Sequence, residues 1–205
     1  MAGLDPEIVR RNLDEVRAQV GEAVQILAAV KYLDVEDLAA LREGGVTLAG
    51  ENRAQQLELK QAAHPDFTWD FIGHLQSRKV KTVLPLVRWI HSVGSASAIK
   101  ELNKHAAPDT EVLLEVNIAG EEGKSGFAPS DLAAVLETLE CAAVGLMTMP
   151  PLAEKSEENR RWFAALAQLA SDNGLRELSM GTTQDYAVAA QEGATVIRVG
   201  TKLFV

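Results

Sequence analysis

The sequence predicts an α/β protein built as a closed (β/α)8 TIM-type barrel, and three observations predict it. Eight short apolar runs recur along the 205 residues. Helical patterns with recognisable ends lie between most of them. Polar and glycine residues gather where the runs stop. Strands that alternate with helices pair in parallel, and eight such units suit closure. An open doubly wound sheet is the rival arrangement. No stretch has linker composition, so residues 1–205 read as one domain.

An extra helix comes first. Asp5 suits its cap, Pro6 its first position and Glu7 the positive end of its dipole. Val9, Leu13, Val16 and Val20 follow at helical spacing. After Gly21 the first strand run is Gln25 to Val30. The others are Val46–Ala49, Trp69–Ile72, Arg88–His91, Glu111–Ile118, Ala143–Met149, Glu177–Met180 and Thr195–Val199. Asp34 is read as the cap of a helix carrying Leu38 and Leu41 and stopped by Gly44-Gly45. Ser130 is read as the cap of one carrying Leu132, Val135, Leu136 and Leu139. Ser156 is read as the cap of one carrying Trp162, Phe163, Leu166 and Leu169 and ended by Asn173-Gly174. A shorter helix runs from about Gln184 to Gly193.

Composition narrows the function. Apolar residues make up 47% and charged residues 24%, ordinary for a globular chain, which excludes disorder and coiled coil. Acids outnumber bases 29 to 20, a net charge of −9. Such a surface repels polyphosphate, so nucleic acid is not an expected partner. The single Cys141 makes no internal disulfide, which fits a reducing compartment. No signal segment opens the chain and no apolar run is long enough for a membrane span. A cytoplasmic location is expected.

A parallel barrel carries its chemistry where its strands end. The first run ends in Lys31. A lysine pressed against an apolar barrel interior is a Schiff-base candidate, because desolvation favours its neutral amine; the other reading is a lysine that snorkels outward. Arg198 lies between Ile197 and Val199, where a guanidinium needs a partner, either a carboxylate or a ligand acceptor. Gly181-Thr182-Thr183 and Gly200-Thr201 offer bare N–H groups and hydroxyls after the last two strands. They resemble the phosphate turn of many barrels. His74 and His91 are read as possible lining, and His64 and His105 as solvated. Gly120 to Ser125 imitates a P-loop, but two residues part its glycines where four are needed. It is expected to be a surface loop. No metal-ligand spacing occurs.

These stretches together resemble one family. Ala28-Ala29-Val30-Lys31, Gly50-Glu51-Asn52, Phe71 to Ser77, Val116-Asn117-Ile118, Lys124-Ser125-Gly126, Gly145-Leu146-Met147, Leu178 to Gly181 and Arg198 to Thr201 occur in its order across nearly the whole chain. The chain is similar to the pyridoxal-phosphate homeostasis proteins, single-domain relatives of the alanine racemase amino-terminal barrel. The resemblance implies that Lys31 holds pyridoxal 5′-phosphate as a Schiff base and that Arg198 faces the pyridine nitrogen. It implies phosphate contacts from Gly181, Thr183, Gly200 and Thr201, with Asn52, Met147 and His74 near the ring. Thr182 and Thr183 stand where the family usually has methionine and serine. Val30 replaces a serine, and Val93-Gly94 follows His91-Ser92 where an aspartate is usual.

A protonated guanidinium donates to the ring nitrogen without protonating it, which weakens the ring as an electron sink. Racemases with this arginine draw a tyrosine base from a second domain, which this sequence does not contain. Its tyrosines are Tyr32 and Tyr186, and strand alternation turns Tyr32 away from Lys31. The expected function is therefore a non-catalytic cofactor carrier in pyridoxal-phosphate homeostasis, working as a monomer, with apo-enzymes that need the cofactor as recipients. The rival readings are a minimal amino-acid racemase and a phosphosugar-binding barrel without a Schiff base.

Overall fold

A computed structural model describes residues 4–205. Eight parallel strands close into a barrel in sequence order. They are β1 (Gln25–Ala29), β2 (Leu48–Glu51), β3 (Thr68–Phe71), β4 (Trp89–Val93), β5 (Glu111–Glu115), β6 (Ala142–Met147), β7 (Glu177–Thr182) and β8 (Val196–Val199). Closure joins β8 back to β1, with Gln25 opposite Val196 and Ala28 opposite Val199. The open sheet is thereby excluded. Each strand falls on one of the eight apolar runs, with ends shifted by a few residues.

The helices form the outer ring. They are α1 (Pro6–Val20), α2 (Asp37–Glu43), α3 (Ala54–Ala63), α4 (Val80–Val83), α5 (Ala96–His105), α6 (Leu132–Thr138), α7 (Arg160–Asp172), α8 (Tyr186–Gln191) and α9 (Thr201–Phe204). Helix α1 begins as the sequence predicts: Asp5 Oδ1 accepts the Glu7 N–H at 2.9 Å. Three other starts are corrected. Asp34 caps nothing; its own N–H donates to Asp37 Oδ2, and α2 opens at Asp37. Ser130 and Ser156 lie inside 3₁₀ turns, Pro129–Asp131 and Ser156–Asn159, that precede α6 and α7. There the backbone carbonyls of Ala128 and Lys155 take the first N–H groups, so the serine hydroxyls have none to cap.

Alternation along the strands divides the apolar residues into two cores. Ile26, Ala28, Ile90, Val112, Leu114, Leu146 and Ile197 face outward and pack with the helices. Leu27, Leu48, Trp89, Leu113, Met147 and Val196 fill the barrel interior. The two sets keep the period of two that a pleated strand imposes. Asp70, His91, Ser179 and Arg198 share the inward parity of their strands, and all four are buried. The barrel interior therefore holds an apolar packing and, threaded through it, a chain of buried polar side chains.

Candidate functional site

The carboxyl ends of the strands surround a cavity of about 440 Å³. Its size suits a small cofactor. Lys31 lines it from the turn after β1, exposed rather than pressed against the apolar interior, and Asn52 lines it from the turn after β2. His74, Met147, Thr183, Arg198, Gly200 and Thr201 complete the sequence-predicted lining. Gly181 does not reach the surface of the cavity. It stands behind it at φ +87°, where a Cβ would meet Ala189 Cβ at 2.5 Å. This position needs glycine both for its backbone angle and for the approach of α8.

Two buried networks hold the predicted residues in place. The first lies behind β1 and β2. Lys60 on α3 is 1% exposed and its Nζ donates to Glu51 Oε2 at 2.6 Å and to the Val30 carbonyl at 2.8 Å. Glu51 Oε1 accepts the Asn52 N–H at 2.7 Å and the Arg53 N–H at 3.2 Å. One ion pair thus clamps the backbone next to Lys31 and at Asn52. The amide oxygen of Asn52 is the only sealed side-chain polar atom among the described residues without a partner.

The second network runs up the barrel interior. Arg88 grips Asp70 through Nε at 3.1 Å and Nη2 at 2.6 Å. Asp70 Oδ2 lies 3.0 Å from His91 Nε2, and His91 Nδ1 lies 2.7 Å from Ser179 Oγ. Arg198 Nη1 donates to that hydroxyl at 2.5 Å and to the Ser179 carbonyl at 2.7 Å. A serine that accepts from Arg198 gives its proton to His91 Nδ1, which leaves the His91 proton on Nε2 facing Asp70. Burial pushes the His91 pKa below its ordinary value, against the pull of Asp70. Burial raises Asp70, but His91 and Arg88 outweigh it and hold Asp70 below the usual carboxylate range.

Arg198 is 6% exposed, and desolvation brings its pKa down to about 10 despite the nearby Asp185 and Glu115 charges. Its partners are two carbonyls, a hydroxyl and a thioether rather than a carboxylate. Nη2 donates to the Thr148 carbonyl at 2.9 Å and meets Met149 Sδ at 2.9 Å. With Ser179, these satisfy both terminal nitrogens, while Nε donates to nothing among the described residues. Across the mouth, Gly200 N–H donates to Thr183 Oγ1 at 3.2 Å, joining the two turns after β7 and β8. Thr182 turns inward on Asp185, which accepts its N–H at 2.7 Å and its hydroxyl at 3.0 Å. The residue that departs from the family pattern thus shapes the turn that presents Thr183.

Several residues of the wall escaped sequence reading. Tyr32 lines the mouth, with Lys31 Nζ 4.8 Å from its ring centre. Strand alternation does not apply there, because β1 ends at Ala29 and residues 31–32 form a turn. Tyr186 is outside the cavity; it opens α8 and its hydroxyl donates to Gln19 Oε1 at 3.2 Å. His91 lies below the cavity rather than in its wall. His64 is half-buried against the Val35 carbonyl at 2.9 Å, not simply solvated. The loop with the false P-loop pattern is a turn at Gly120 and Gly123, but its end at Ser125 reaches the cavity and donates to Glu115 Oε1. A Cβ at Gly94 would meet Glu115 Oε2 at 2.8 Å. The Glu115 carboxylate therefore stands over the stretch where the family usually carries its aspartate.

Fold and cavity define a class: a parallel barrel with a small-molecule-sized cavity at its carboxyl-terminal mouth, lined by a lysine and an arginine. Comparison with known proteins agrees. The sequence profile of the alanine racemase N-terminal domain matches residues 4–205. The pyridoxal phosphate homeostasis protein of Aquifex aeolicus is 39% identical over 92% of this chain and 90% of its own. That of Pseudomonas aeruginosa is 37% identical over 96% of this chain and 94% of its own. The structure of PipY from Synechococcus elongatus with PLP bound superposes with a TM-score of 0.85 at 33% identity, covering 96% of this chain and all of that one. Alanine racemase from Corynebacterium glutamicum shares the fold alone, at TM-score 0.80 and 13% identity. The chain belongs to the alanine racemase N-terminal domain family and, within it, to the pyridoxal phosphate homeostasis proteins. Among the described residues no helix is long and apolar enough to cross a membrane.

Proposed function

We propose that this chain binds pyridoxal 5′-phosphate in the cavity, on the amine of Lys31, and serves pyridoxal-phosphate homeostasis as a carrier, not a catalyst. One observation carries the reading: Lys31, Arg198 and the joined Thr183 and Gly200-Thr201 turns converge on one cavity of cofactor size. The residues fit the group. Lys31 is the amine that takes the aldehyde, and Arg198 Nε is an uncommitted donor for the ring nitrogen. Thr183, Gly200 and Thr201 face the phosphate, with Gly181 setting their turn. Asn52 lies beside the ring, near Met147 and His74. Bound pyridoxal phosphate supplies a reactive aldehyde carbon and an aromatic electron sink. The PLP-bound PipY structure and the relatives' names support the same cofactor.

Racemisation needs acid and base groups on both faces of the reacting carbon. Tyr186 is committed to Gln19 outside the cavity. Tyr32 shows Lys31 its ring face and is 76% exposed, a poor place for a base with a tuned pKa. The carrier reading follows, in one barrel domain that is monomeric and cytoplasmic and delivers cofactor to apo-enzymes. The net charge of −9 argues against nucleic acid.

Titration against pyridoxal and pyridoxal phosphate tests the phosphate cradle. The phosphate form binds far more tightly, and Thr183→Ala and Thr201→Ala each weaken it by about 1–3 kcal/mol. Equal affinity for the two forms sinks the cradle. Incubation with alanine, serine or glutamate in deuterium oxide, followed by NMR, tests the carrier reading. Exchange at the α-carbon stays at the level of free cofactor. Rapid exchange that Tyr32→Phe removes makes the protein a racemase-type enzyme.

A further inference from the structure

Glu115 is the only carboxylate among the described residues that line the cavity. It closes β5, four strands round the barrel from β1, so it stands across the mouth from Lys31. The residue is 8% exposed. Its Oε1 accepts from Ser125 Oγ at 2.6 Å. Its Oε2 has no hydrogen-bond donor among the described residues, and no lysine, arginine or histidine pairs with it. Nor is that oxygen sealed off, since Asn52 Oδ1 alone has that status. A nine-tenths-buried carboxylate thus offers one uncommitted oxygen to the cavity.

Three groups of the cavity wall that could donate are already engaged. Ser92 Oγ donates to the Gly73 carbonyl, Ser125 Oγ donates to Glu115, and both terminal nitrogens of Arg198 donate to residues 148, 149 and 179. At Oε2 a ligand carboxylate meets like charge and no unengaged terminal nitrogen of a guanidinium, and Lys31 stands only across the mouth. A primary ammonium meets an acceptor, and partial burial strengthens that contact. We propose that Glu115 forms an ammonium subsite, which admits primary amines without an α-carboxylate, such as an alkylamine or a lysine side chain, in preference to α-amino acids. The proposal deepens the cofactor reading and rests on it: it names the class of amine that shares the cavity with the cofactor.

The test is calorimetric titration of the full, cofactor-stripped chain with n-butylammonium chloride and, separately, with L-norvaline, which is the same amine bearing an α-carboxylate. Butylammonium binds about tenfold more tightly than norvaline, and Glu115→Gln removes about that factor. Glu115→Asp keeps the charge and retains most of the binding. The dissociation constant for pyridoxal phosphate, titrated on the same samples, changes by less than the amine's and reports that the variants are folded. Absence of butylammonium binding, equal binding to the wild type and Glu115→Gln, or norvaline bound as tightly as butylammonium overturns the subsite. Failure of the unmodified chain to bind pyridoxal phosphate overturns the cofactor reading instead, while the amine titration still decides whether the oxygen of Glu115 is a cation site.

Discussion

His91 shows what a single residue contributes once its neighbours are known. It is fully buried between Asp70 and Ser179, and burial lowers its pKa from the ordinary 6.5. The unfolded chain takes up a proton at this histidine as pH falls through about 6.5, and the folded protein does not. Its contribution to stability is complete above that pH and is lost as pH falls towards the folded pKa. Asp70 adds a second decline at lower pH, because its folded pKa lies below the ordinary 3.8. Urea unfolding at pH 8, 6 and 5 is expected to show stability falling with pH, and His91→Gln to flatten that fall; an unchanged slope contradicts the assignment. Gly181 gives a second residue-scale expectation. At φ +87° and 2.5 Å from Ala189, Gly181→Ala costs about 1–3 kcal/mol of stability in thermal or urea unfolding. A neutral result means that the turn after β7 relaxes freely.

At the scale of elements, the helix α3 is tied to the site by one buried pair. Lys60→Met leaves Glu51 buried without its cation, and loss of such a partner costs about 3–5 kcal/mol. The same change frees the backbone at Val30 and Asn52, so cofactor retention is expected to fall with stability; the double variant Lys60→Met, Glu51→Gln recovers part of the stability. Intact stability in the single variant refutes the clamp. The strands were legible because each is a short apolar run bounded by glycine, proline or polar residues, and closure followed from counting to eight. The helix starts were less so. Asp34, Ser130 and Ser156 carry the right side chain for a cap, but a turn of local backbone bonding precedes each helix, and no side-chain pattern announces it. The site was legible where it hangs on strand ends: Lys31, Asn52, Thr183 and Gly200 lie where polarity interrupts an apolar run. Glu115 and Asp70 were not, and His91 was read as lining although it lies below the cavity; counting by twos from Trp89 and Leu113 marks His91 and Glu115 as inward. A charged or polar residue on an inward position needs a partner; His91 finds Asp70 and Ser179 on other strands, and Glu115 finds Ser125 in the loop that follows, at spacings no motif announces.

For the whole molecule, the barrel solves an electrostatic problem. A chain of net charge −9 gathers two cations, backbone N–H groups and hydroxyls in one concave mouth, where local groups outweigh the distant surface field. The rest of the interior serves that mouth: Arg88, Asp70, His91 and Ser179 form one continuous support beneath Arg198, so the guanidinium reaches the cavity without collapsing onto a carboxylate. The measurement closest to the central claim is the visible absorbance of the purified protein after incubation with pyridoxal phosphate, borohydride reduction and peptide mass mapping. The wild type is expected to be yellow, to lose the colour on reduction and to carry the reduced cofactor on Lys31. Lys31→Ala is expected to keep its fold by circular dichroism and to show neither band nor label. A band that persists in Lys31→Ala, or a label on another lysine, contradicts the account.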